Sequence, residues 1–221
     1  MRSTYIRYLS DSLLKRWRLL CPPCYSPKPA LFVDRDGVLI EDQHHLCHPG
    51  NVLLCPGAKT LLKKAMQHEW PVVLITNQSG ISRGYFTWQE YEQVTDQLLE
   101  LLGSAAPLAG IYANGHGPEA PSTSWRKPSP AMLLAAAADL NLDLSRSLLI
   151  GDRLSDLQAG ASAGLPWLGH VQTGHGAKER QAVKHWWKSQ EKLITSNNQF
   201  FKLECLHTLL DFPIHLLNCF G

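Results

Sequence analysis

Two aspartates stand two residues apart in Val33-Asp34-Arg35-Asp36-Gly37-Val38, directly after the apolar run Ala30-Leu31-Phe32-Val33. At a strand end both carboxylates can enter one crevice if the backbone turns, and Gly37 permits that turn. Such a pair suits phosphoryl transfer. Asp34 can attack phosphorus to form an aspartyl-phosphate, while Asp36 protonates the leaving alcohol and then activates water. An ordinary acidic turn is the plain alternative.

Three further clusters follow the same grammar. In Leu74-Ile75-Thr76-Asn77-Gln78-Ser79-Gly80 the Thr76 hydroxyl and the amides after it can bind phosphoryl oxygens that gain charge. In Trp125-Arg126-Lys127-Pro128 a fixed cation precedes a helix. Lys127 is the better candidate to neutralise a phosphate dianion and hold carboxylates together, and the planar Arg126 fork suits a second phosphate or sugar hydroxyls. In Leu148-Leu149-Ile150-Gly151-Asp152 an apolar strand ends in Gly-Asp. Mg2+ prefers oxygen ligands, and Asp152 with Asp34 and the backbone carbonyl of Asp36 would supply them. Asp156, one helical turn on, can cap or orient. Taken singly each cluster also reads as a solvated turn; their repeated position at strand ends and helix starts is what random decoration rarely produces.

The elements that must position these groups alternate. Apolar runs at 30–33, 71–75, 110–113 and 147–150 are separated by helical stretches at 58–69, 86–102, 130–140 and 154–163, and Pro166-Trp167-Leu168 offers a fifth short strand. Thr87 with Glu90 three residues later predicts a capping box at the second helix. This order predicts an α/β fold, a doubly wound parallel sheet of Rossmann-like type with ligand groups gathered where strands end. Residues 174–198 read as a polar stretch whose Trp186 and Trp187 pack on the surface, and 200–217 as one more strand and helix.

A chain of 221 residues with 44% hydrophobic content can bury one substantial core, so one catalytic domain is expected over 30–221, with its core at 30–170. Nearly balanced charge, 21 basic against 19 acidic residues, argues against a nucleic-acid partner. The absence of about 20 consecutive apolar residues argues against a membrane span. Six scattered cysteines suit a reducing cytoplasm rather than a disulfide scaffold. Residues 1–29 stand apart as a basic N-terminal extension, in which Arg2, Arg7, Lys15, Arg16 and Arg18 face the single acid Asp11. It reads as a short appendage, an over-long start or a transit peptide. The Cys21/Cys24 pair would hold zinc only with two more ligands.

The set DRDGV, TNQSG, RKP and GDRLSD resembles the four signature motifs of the haloacid dehalogenase-like phosphatases. From about Leu31 to Leu168, and above all in TNQSGISRGYFT and RKPSPAMLLAAAADL, the chain is similar to heptose bisphosphate and histidinol-phosphate phosphatases. That resemblance implies a nucleophile at Asp34, an acid/base at Asp36, phosphoryl stabilisers at Thr76 and Lys127, substrate recognition by Arg126, and Mg2+ at Asp34, Asp36 and Asp152. It implies substrate contacts at Asp42, His45, Asn77, Gln78, Ser79 and Arg153, and a site without a large cap domain. It implies a sugar phosphate substrate, with D-glycero-D-manno-heptose 1,7-bisphosphate foremost; apart from the resemblance, a monomer is expected. Histidinol phosphate, another small phosphomonoester, or a catalytically silent binding protein are the alternatives.

Relatives carry a zinc loop of the form C-x-H then C-x-C. Here the corresponding residues are Asn114-Gly115-His116 and Thr123-Ser124-Trp125, which keep only His116 of four ligands. No zinc is therefore expected at this loop.

Overall fold

The computed structural model describes residues 7–12, 14–121, 123–197 and 201–219. Eight strands form one sheet in the order β1-β2-β5-β4-β3-β6-β7-β8. They are β1 (Arg7–Ser12), β2 (Lys15–Leu19), β3 (Leu31–Val33), β4 (Val72–Asn77), β5 (Gly110–Asn114), β6 (Leu148–Gly151), β7 (Trp167–His170) and β8 (Lys202–Cys205). Helices α1 (Ala58–Gln67), α2 (Trp88–Leu102), α3 (Ala131–Leu140), α4 (Leu154–Ser162) and α5 (Gly176–Asn197) cover it, and a single turn, α6 (Leu216–Cys219), closes the described chain.

Strands β3 to β8 pair in parallel, and their residues alternate between two cores because strand side chains point to opposite faces. Leu31, Val33, Leu74 and Ile150 pack on one face with Leu61 of α1 and Leu98 of α2. Phe32, Val73, Ile75 and Leu149 pack on the other with Met132 of α3 and Leu157 of α4. Both faces are buried, which is why these strands read as continuous apolar runs. Since β3 lies between β4 and β6, successive connections leave it in opposite directions, and a crevice opens at its carboxyl end. Asp34 is the first residue past that end.

The expected capping box is present. Thr87 Oγ1 accepts from Glu90 N at 3.3 Å, and Glu90 Oε2 accepts from Thr87 N at 2.7 Å.

Three parts differ from the sequence reading. Residues 7–19 are not set apart as an appendage. β2 pairs antiparallel with β5 from Lys15↔Asn114 to Leu19↔Gly110, and β1 extends the sheet beyond it, so the sheet is mixed at this edge. Arg18 is buried there because its guanidinium is matched by Glu92 and, at 2.6 Å, by Asp96, both on α2. Residues 1–6, which include Arg2, lie outside the described chain. The polar stretch after Gly174 is the helix α5, with Trp186 and Trp187 packed against Phe201 at ring separations of 6.0 and 5.2 Å. After β8 a 3-10 turn (Leu209–Asp211) precedes α6, so the predicted C-terminal helix is short, and Phe200 is outside the described residues. Among the described residues no helix is long and apolar enough to cross a membrane.

Candidate active site

Asp34, Asp36 and Lys127 line a cavity of about 110 Å³ at the carboxyl end of β3. The loop after β3 adds Asp42 and His45, the end of β4 adds Asn77, Gln78 and Ser79, and the start of α4 adds Arg153. Arg126 borders an adjoining cavity of about 360 Å³ shared with Asn77, Ser79 and Arg153. Thr76 and Asp152 lie almost wholly buried beside the first cavity.

Lys127 organises the interior of the site. Its Nζ is 2.9 Å from Asp34 Oδ1, 2.7 Å from Asp156 Oδ1 and 3.0 Å from the Ile75 carbonyl. Burial pulls the ammonium pKa down, but the two carboxylates outweigh it and hold Lys127 above the usual lysine value. The Asn77 side chain fixes the Lys127 backbone from both sides, accepting from Lys127 N at 3.1 Å and donating to Lys127 O at 3.2 Å.

Asp36 is clamped. Arg35, itself fully buried, donates from Nε and Nη2 to the two Asp36 oxygens at 3.1 and 3.0 Å and sits over the Tyr91 ring at 5.1 Å. Gln78 Nε2 donates to Asp36 Oδ2 at 2.8 Å and to Thr76 Oγ1 at 2.7 Å, while its Oε1 accepts from Arg35 at 3.0 Å. The Gln78 amide is thus taken up by protein partners, and its side chain serves to aim Asp36 and Thr76.

Asp34, Asp152 and Asp156 bring carboxylate oxygens within 4.8 Å of one another. Burial first, then mutual repulsion, raises Asp152 to about 9; burial raises Asp34 to about 7, with Lys127 opposing. Asp152 Oδ2 accepts from His175 N at 2.7 Å, yet its buried Oδ1 has no hydrogen-bond partner. A buried oxygen without a donor, inside an all-oxygen group, fits a hard divalent cation such as Mg2+. Two glycines make room for this carboxylate: at Gly37 (φ 82°) and at Gly174 (φ 57°) a Cβ would lie 2.5 Å from Asp152 Oδ2. The Asp36 carboxylate belongs to the Arg35 and Gln78 clamp rather than to this acidic group, which leaves its carbonyl as the ligand expected of it.

Asp156 does more than cap. Its Oδ2 accepts from Arg153 N at 2.9 Å at the start of α4, and its other oxygen meets Lys127. Arg153 reaches between Asp42 and Glu179, at 3.9 and 3.8 Å. Where relatives are expected to bind zinc, His116 Nδ1 pairs with Asn114 Oδ1 at 3.1 Å, and Trp125 packs on Trp17 of β2 and Tyr112 of β5 at 5.3 and 5.7 Å.

Sequence reasoning missed the Arg35 clamp and His175. Arg35 sits inside the acid motif, but which way its side chain turns is not a matter of spacing. His175 is 23 residues beyond Asp152 in a stretch read as polar connection, and only the glycine before it hinted at a tight approach.

A family model described as HAD-hydrolase-like matches residues 124–195. A D-glycero-beta-D-manno-heptose-1,7-bisphosphate 7-phosphatase of Mesorhizobium japonicum is 42% identical over 149 residues, covering 63% of this chain and 69% of that protein. A 7-phosphatase of the same description from Yersinia pestis is 32% identical, covering 72% and 88%. Among solved structures, a D,D-heptose 1,7-bisphosphate phosphatase from B. bronchiseptica, complexed with magnesium and phosphate, superposes with a TM-score of 0.69 at 29% identity, covering 86% of this chain and 98% of its own. The chain belongs to the haloacid dehalogenase-like phosphatases, hydrolases of phosphoric monoesters. Within that class it is similar to the heptose 1,7-bisphosphate 7-phosphatases.

Proposed function

We propose that this chain removes the 7-phosphate of D-glycero-D-manno-heptose 1,7-bisphosphate through an aspartyl-phosphate on Asp34, with Mg2+ bound. The observation that carries the reading is Lys127, held between Asp34 and Asp156 beside a buried Asp152 oxygen that lacks a donor.

An Asp34 oxygen attacks phosphorus as the bond to the sugar oxygen breaks, and Asp36 gives that oxygen its proton. Water then attacks phosphorus, Asp36 takes back a proton, and Asp34 is freed as orthophosphate leaves. The Arg35 and Gln78 clamp keeps the Asp36 carboxyl aimed through both steps. Lys127 and the Thr76 hydroxyl meet charge on the phosphoryl oxygens. Mg2+, held by Asp34, Asp152 and the Asp36 carbonyl, would neutralise phosphoryl charge when bound.

Arg126 supports a bisphosphate. Burial first, and then the neighbouring Arg83 and Arg153, lower its pKa, so cations crowd this side of the site and an anion would relieve them. Asp42, His45 and Ser79 would receive sugar hydroxyls between the two phosphates. The test is phosphate release from both heptose 1,7-bisphosphate anomers and from histidinol phosphate, each with Mg2+ or with chelator. Metal-dependent loss of the 7-phosphate with the 1-phosphate retained is the expected result. Preference for histidinol phosphate would overturn the substrate, and no turnover of any ester by folded protein would overturn the activity.

A further inference from the structure

A second group of donors stands at the wall of the same cavity, and the reaction above gives it no work as a group. Asp42, His44 and His175 each bring one ligand atom to within 4.8 Å of the other two. Asp42 Oδ2 and His175 Nε2 are 2.7 Å apart, and the His44 and His175 rings meet edge to face at 5.8 Å. All three residues line the cavity that holds Asp34 and Lys127.

The chain is bent to produce this meeting. His44 has a left-handed backbone (φ 47°), and its N–H donates to Asp42 Oδ1 at 3.0 Å, leaving Oδ2 for His175. His175 comes from the loop between β7 and α5, with its backbone N–H fixed on Asp152 Oδ2 at 2.7 Å. Two imidazoles and one carboxylate differ in kind from the all-oxygen group at Asp34, Asp152 and Asp156. Imidazole nitrogen suits zinc and its first-row neighbours, whereas Mg2+ favours oxygen.

We infer that Asp42, His44 and His175 form a second metal site, for a divalent ion of the zinc class, at the wall of the phosphatase cavity. Donors about 2.1 Å from such an ion stand about 3.4 Å apart in a tetrahedron, so the pair formed by Asp42 and His175, 2.7 Å apart, must open to admit it. His44 is exposed, and its ring already meets that of His175 at the cavity wall. Three protein ligands leave one position open, the arrangement of sites that also bind water or an oxygen of a guest molecule. The chemical class of that fourth ligand is a water, hydroxyl or phosphate oxygen entering the cavity.

Co2+ titration of the metal-stripped full chain, with Mg2+ at millimolar concentration throughout, reads the site without any turnover. One equivalent of Co2+ should give a visible d–d band of low symmetry, displaced by Zn2+. His44→Ala and His175→Ala should each weaken binding by at least about 100-fold, a loss no smaller than that for removing a group that only supports a ligand. Cys21→Ser with Cys24→Ser should leave binding unchanged. Circular dichroism of each variant checks the fold, and His44→Gln repeats the test at an exposed residue with less change of volume. No stoichiometric Co2+ in the presence of Mg2+ would overturn the inference. So would binding that survives both histidine variants, or a thiolate charge-transfer band that disappears with the cysteines.

Discussion

Lys127 Nζ lies 2.9 Å from Asp34 Oδ1, with both side chains shut away from solvent. The proximity ties the proposed nucleophile to the one cation that also holds Asp156, so charge balance and chemistry depend on the same atom. Lys127→Met should lower kcat by about 10³-fold, the scale for losing a preorganised electrostatic partner. It should also cost about 3–5 kcal/mol in urea unfolding, because two buried carboxylates lose their cation. Lys127 holds the Asp34 pKa down, so residual activity should move toward higher pH. Activity within tenfold of the unaltered protein would contradict this.

The acidic group predicts a pH-dependent metal effect. Folding raises Asp34 to about 7 and Asp152 to about 9, chiefly by burial. A carboxyl raised in the folded state binds protons there that the unfolded chain has released, so stability falls as pH rises from about 4 toward 7 to 9. Mg2+ competes with those protons. Its effect on Tm should therefore be several degrees larger at pH 8 than at pH 6 and should vanish in Asp152→Ala. Equal shifts at both pH values would exclude this coupling.

Arg35 is a positioning residue. Its two-pronged contact with Asp36 is a fork that lysine cannot copy. Arg35→Lys should lower kcat by about 10- to 100-fold with KM nearly unchanged. A loss confined to KM would place Arg35 in binding instead.

Arg126 should discriminate between substrates. Arg126→Gln should raise KM for a sugar bisphosphate by about tenfold or more, while leaving KM for a monophosphate within about twofold. Equal effects on both would show that Arg126 does not serve the second phosphate.

Trp125 links the loop before Arg126 to β2 through Trp17 and to β5 through Tyr112. Trp125→Ala should cost about 2 kcal/mol or more in urea unfolding, by loss of buried aromatic area. An unchanged midpoint would mean that the loop is held by other contacts.

What the sequence made legible depended on locality. β3, β4, β5 and β6 were visible because both their faces are covered and their residues are continuously apolar. The start of α2 was visible because Thr87 and Glu90 satisfy each other within one turn. β2 was not visible, since Arg16 and Arg18 read as part of a basic N-terminal extension until Glu92 and Asp96, more than seventy residues away, are placed opposite Arg18. Likewise α5 hides in polar residues, because only part of it faces the sheet. In the site, Asp34, Asp36 and Asp152 stood out by their place after strands, and Lys127 by its place before a helix. The turn of Arg35 toward Asp36, and the return of His175 to Asp152, follow from tertiary approach alone.

The central claim is that Asp34 carries the phosphoryl group. Rapid acid quench of the protein mixed with a 32P-labelled phosphomonoester that it turns over, followed by digestion and peptide mapping, tests it most directly. The account predicts hydroxylamine-labile label on the peptide containing Asp34, formed within the first turnover and absent from Asp34→Asn. Steady turnover with no label on that peptide, or label on a different residue, would contradict it.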